Sequence, residues 1–70
     1  MLDNLKVGNT VVFRCGGQSV VTKIGTIQDS ALELFFDPEG REFWNYHTDG
    51  NIYVLMDMGV CPFDIIEVKP

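Results

Sequence analysis

Cysteine, histidine and basic residues are all scarce in this chain, and each shortage closes off a class of function. Cys15 and Cys61 stand far apart, with His47 as the single histidine. A structural zinc site needs four ligands at short paired spacings, which this set does not supply. Five cations, Lys6, Arg14, Lys23, Arg41 and Lys69, are scattered against ten acidic residues, for a net charge of −5. Gripping a phosphate backbone takes a concentrated basic face, so nucleic-acid binding is disfavoured. The acidity reads as a solubility device rather than as mimicry of a nucleic acid. The opening "MLDNLKVGNT" has neither the basic lead nor the apolar run of a signal peptide or membrane span. The expected location is therefore cytoplasmic, where both cysteines stay reduced as small residues near the core.

Catalytic pairings are missing as well. His47 would have to act as base for Cys15, Cys61 or a serine, and no nucleophile turn accompanies it. "CGGQS" is glycine-rich but precedes a strand, not a helix N-terminus, so it reads as a tight turn rather than a phosphate cradle. The carboxylates sit mostly at turns, where Asp caps local amides. The expectation is a protein that is not an enzyme and uses no metal or cofactor.

What the chain does have is apolar and aromatic mass. Hydrophobic residues make up 46%, with five Phe, two Tyr and one Trp, enough for a packed core. Seventy residues imply one domain, residues 1–70. So short a chain buries only about 60% of its unfolded surface, and oligomerisation is one way to add to that.

Turn signals recur about every 8 to 12 residues and no helical period is sustained, which points to an all-β barrel or sandwich. "VVFRC", "SVVTKIGTI", "ALELFF", "REFWNY", "NIYVLM" and "IIEVK" read as successive strands, with Gly25 a bulge or bend in the second. "MGVCPFD" reads as an irregular link in which Pro62 stops pairing.

Two turns set registers. "DPEG" at 37–40 has type I turn chemistry, with Gly40 closing a bulge, and pairs Asp37 with Arg41, Phe35 with Phe43 and Leu34 with Trp44. Asp49-Gly50 is the preferred two-residue type I′ pair and sets His47 opposite Ile52 and Tyr46 opposite Tyr53. Opposed residues share a face. One face then carries Leu32, Leu34, Phe36, Trp44, Tyr46, Tyr53 and Leu55, and is expected to fill the interior. The other carries Phe35, Phe43, Ile52, Val54 and Met56 as an apolar strip, flanked by Glu33, Arg41, Asn45 and His47.

An exposed strip of that kind suggests use. Phe35, Phe43, His47, Ile52, Val54 and Met56 are the expected interface for self-association or a protein partner, unless the N-terminal strands or the "MDMGVCPF" loop cover them. The alternative is a small nucleotide-like ligand, stacked on Trp44, Tyr46 or Tyr53 with Arg14 or Arg41 on its phosphate.

Three segments carry a resemblance. The opening "LKVGNTVVFR" supplies Lys6, Val7, Gly8, Val11, Phe13 and Arg14. The hairpin "WNYHTDGNIY" supplies Trp44, Tyr46, Asp49, Gly50 and Tyr53, and the ending "DIIEV" supplies Asp64, Ile65 and Val68. Together they resemble a group of small phage- or prophage-encoded proteins of unassigned function, and the opening half resembles Src-homology-3 (SH3)-like barrels. The long "IYVLMDMGVCP" departs from the shorter, Gly-rich link of that pattern. The resemblance implies a small SH3-like barrel of five to six antiparallel strands, with a short irregular or 3-10 turn before the last. It also implies stoichiometric binding of a host protein in the host cytoplasm, and no particular activity.

Overall fold

One turn of 3-10 helix at Leu2–Asn4 precedes six strands: β1 Thr10–Phe13, β2 Gln18–Val20, β3 Lys23–Gln28, β4 Ala31–Phe35, β5 Phe43–His47 and β6 Ile65–Lys69. These come from a computed structural model, which describes residues 1–28, 31–52 and 61–70. All ladders are antiparallel, in two three-stranded sheets ordered β2-β1-β6 and β3-β4-β5. The fold is all-β, as expected, and consistent with an SH3-like barrel that is not closed. A short irregular turn, in which the Asp64 N–H donates to the Cys61 carbonyl at 3.1 Å, leads into β6. Among the described residues no helix is long and apolar enough to cross a membrane.

The described residues hold six strands, two of them from a segment expected to form one. "SVVTKIGTI" is not one strand but two, β2 and β3, split at Val21 and Thr22. Val21 still pairs with the N-terminal arm through its N–H to the Asn9 carbonyl, whereas the Thr22 N–H donates to Phe35 of the other sheet. The chain changes sheets between these two residues, and the Thr22 hydroxyl anchors the corner on the Asp37 carbonyl at 2.7 Å. Gly25, expected to be the bend, lies in regular pairing opposite Glu33, and the register shift falls between Thr26 and Gln28.

The first hairpin has the expected register: Leu34 opposite Trp44 and Phe35 opposite Phe43. The second does not. The Gly50 N–H donates to the His47 carbonyl at 3.0 Å and the His47 N–H to the Asn51 carbonyl at 2.9 Å, which makes Thr48-Asp49-Gly50 a three-residue loop. A type I′ turn needs positive φ at both central residues. Gly50 has it, at +97°, while among the described residues none but glycine does. The extra loop residue places Ile52 opposite Tyr46 instead of His47. Ile52 therefore packs against the core and leaves the outer strip. Tyr53, Val54, Leu55 and Met56, the rest of the expected fifth strand, lie outside the described residues.

The core sits between the sheets. Leu2, Val11, Val21, Leu34, Tyr46 and Ile65 are buried together, with Phe13, Ile24, Leu32, Phe36 and Val68 packed around them. Each such side chain contributes about 1.5–3 kcal/mol by leaving water. Backbone ties hold the second hairpin to its surroundings: Leu2 N–H to the Thr48 carbonyl at 2.7 Å, and Ile65 N–H to the Gly50 carbonyl at 2.8 Å.

Candidate functional site

A cleft of about 160 Å³ is lined by Phe13, Ser19, Phe36, Glu42, Trp44 and Phe63. Its residues come from both sheets and from the turn before β6. Phe36, Glu42 and Trp44 share one face because they alternate along the first hairpin, where the Phe36 N–H donates to the Glu42 carbonyl at 3.3 Å. Phe13 ends β1 and Phe63 follows Pro62 in the turn. The rings meet edge to face: Phe13 and Phe36 at 5.7 Å, Phe13 and Phe63 at 6.3 Å, Trp44 and Phe63 at 4.6 Å. Such pairs contribute about 0.5–1.5 kcal/mol beyond the area they bury. Trp44 is nevertheless 37% exposed and Phe63 42% exposed.

The polar groups around the cleft fix its walls. The hydroxyl of Tyr46, a core residue, donates to the Phe63 carbonyl at 2.7 Å. Burial first, then the nearby Cys61 and Asp64, pushes the Tyr46 phenol well above its ordinary pKa. Asp64 is itself buried and accepts the Ile52 N–H at 2.8 Å and the Cys61 N–H at 3.2 Å. It also pairs with Arg14, whose Nη2 lies 3.6 Å from Oδ2. At the other wall the Asp37 carboxylate accepts the N–H groups of Arg41 and Glu42, both at 2.9 Å. Those two bonds, Glu42's first, hold the Asp37 carboxyl below the usual range.

Of the described residues considered as a ligand site, Trp44 alone lines the cleft. Tyr46 is 0% exposed, so it offers no ring face to a ligand. Arg14 pairs with Asp64, Arg41 sits at the hairpin turn outside the lining, and Tyr53 lies outside the described residues. The expected outer strip is also reduced. Phe35 is only 7% exposed, tilted against Phe43 at 5.3 Å and covered by the Lys23 ammonium 5.0 Å from its ring centroid. Phe43 is 48% exposed, and His47 is half-buried opposite Ala31.

The register of the first hairpin already grouped Phe36 and Trp44, but as core lining. Phe13, Ser19 and Phe63 were missed, since nothing local to them signals that β1, β2 and the last turn converge there. Among the described residues no group of three or more His, Cys, Asp or Glu is placed to hold a metal ion. Comparison of the chain with protein-family models, curated proteins and solved structures found no match.

Proposed function

We propose that the protein is a non-catalytic binding module that docks a segment of a protein partner, stoichiometrically, in the aromatic cleft. The observation that supports this most is the half-exposed Trp44–Phe63 pair at the mouth of a cleft walled by four rings. Aromatic residues in partly desolvated pockets are where binding energy concentrates in protein interfaces. The cleft, at about 160 Å³, is smaller than the roughly 300–1,000 Å³ of typical small-molecule sites, which favours a side chain over a nucleotide.

Glu42 in the lining disfavours phosphate, as does the engagement of Arg14 by Asp64. The same charge argument stands against nucleic acid. Non-catalytic action is supported by how the acids are used: Asp37, Asp49 and Asp64 all accept backbone amides. Self-association through the outer face has less support, because Phe35 is buried and Ile52 turns to the core. The resemblance to phage-encoded proteins would make the partner a host protein.

Panning a random peptide-display library on the wild type and on Trp44→Ala tests this reading. Peptides selected by the wild type should lose binding to Trp44→Ala while both proteins give the same circular dichroism. Selection of peptides that bind both equally would contradict it.

A further inference from the structure

We infer that the residue the cleft accepts is an arginine side chain of the partner polypeptide, held by the aromatic walls and by Glu42. The inference rests on the reading of the cleft as the docking site and names what it takes. Neighbouring rings stand at 75–78° to one another, so the walls face different directions instead of stacking flat. A cation is attracted to ring faces by the aromatic quadrupole, most strongly to tryptophan. Among the described lining residues the only charged group is the Glu42 carboxylate, and Ser19 adds a hydroxyl acceptor. Glu42 is placed by its backbone, through its N–H to Asp37 and its carbonyl to Phe36, so its carboxylate has no internal cation to satisfy among the ion pairs of the described residues.

Of the chain's own cations, Arg14 is paired with Asp64 and Lys23 lies over Phe35, while Arg41, next to Glu42 in the sequence, stands outside the lining. The Lys23–Phe35 contact is itself a cation resting on a ring, on the opposite face of the same sheet. Net charge of −5 adds a longer-range pull on a basic segment. Arginine suits the cleft better than lysine. Its guanidinium is flat, weakly hydrated, able to lie on a ring and to present two N–H groups to one carboxylate.

The chain's single tryptophan makes Trp44 fluorescence the reporter. The probes are the capped peptide Gly-Ala-Arg-Ala-Gly and its lysine, citrulline and norleucine versions, with free arginine amide alongside. The arginine peptide should bind about tenfold tighter than the citrulline peptide, which keeps the shape and loses the charge. Lysine should fall between them. Glu42→Gln, a change at an exposed side chain, should cut the arginine-to-citrulline ratio to about threefold or less while the citrulline affinity stays put.

Equal binding of the arginine and citrulline peptides would overturn the cation requirement and leave the cleft as a docking site. Free arginine amide binding as tightly as the peptide would overturn a polypeptide partner. No response to any of these peptides, from a protein whose Trp44 does respond to library-selected peptides, would overturn the arginine assignment alone. Failure of the library peptides too would remove the docking reading with it.

Discussion

Gly50 and Ile65 meet with no room for a side chain between them. The Ile65 N–H donates to the Gly50 carbonyl at 2.8 Å, and a Cβ on Gly50 would overlap the Ile65 carbonyl oxygen. Gly50 also has φ +97°, where L side chains are strained. The "DG" tip is thus the point at which the second hairpin docks on β6, besides being a turn. Gly50→Ala should cost roughly 3 kcal/mol, combining strain with displacement of β6. Gly16→Ala is the control: its φ is +95° but nothing lies within 4 Å of the added Cβ. That change should cost only about 1 kcal/mol. Urea denaturation of both variants checks the difference.

Asp64 ties the last turn to the second hairpin. Replacing it by Ala would leave the N–H groups of Ile52 and Cys61 without their acceptor in a buried setting. The expected loss is roughly 3 kcal/mol, with Asp64→Asn losing less because its one carbonyl oxygen can keep one amide. Protection of the Ile52 and Cys61 amides from hydrogen exchange should fall in the Ala variant before that of β1 does.

Tyr46 gives the fold an alkaline limit. Its phenol is pushed up in the folded state, so the proton is held there after an unfolded tyrosine has lost its own. The unfolded chain then binds fewer protons, and stability must fall as pH rises. The contribution is complete below a pH of about 10 and declines above it, toward the raised folded value. Tyr46→Phe should remove that part of the decline. At neutral pH it should cost about 1–2 kcal/mol, since the Phe63 carbonyl loses its donor. Thermal melts of both proteins across the alkaline range give the two slopes to compare.

Phe43 and Phe63 are similarly exposed but should behave differently. Phe63→Ala removes the ring against Trp44, so tryptophan emission should shift to longer wavelength and selected peptides should lose binding. Phe43 lies on the other face of β5 over the buried Phe35. Phe43→Glu should leave both peptide binding and the sedimentation coefficient unchanged. A drop in mass on this substitution would restore the outer face as a subunit interface.

The legible parts of this fold were those set by local chemistry. "DPEG" has Pro where a type I turn wants it and Gly where the bulge needs positive φ, so every pair along β4 and β5 followed. "TDGN" was ambiguous: Asp-Gly serves a two-residue turn, or the last two places of a three-residue one. The second applies here: Asp49 does not take a positive φ, its side chain accepts the Asn51 N–H at 2.9 Å, and Gly50 docks on Ile65. That contact is tertiary and left no local mark. The sheet change at Val21–Thr22 was hidden for a similar reason, because a β-branched run reads as one strand whichever partners its two halves find. The cleft was half legible. Trp44 was identified, with Phe36 beside it, but as part of the interior. Its other ring walls are brought by long-range contacts, Phe63 through its carbonyl to the Tyr46 hydroxyl and Phe13 through the rings of Phe36 and Phe63.

The central claim is that binding takes place between the four rings. A nitrogen–proton chemical-shift map of the labelled protein, titrated with a library-selected peptide, tests it most directly. The largest shifts are expected at the Trp44 indole N–H and at the amides of Phe13, Ser19, Phe36, Glu42 and Phe63. Shifts centred instead on Lys23, Phe35, Phe43 and His47, with the Trp44 indole unmoved, would contradict it.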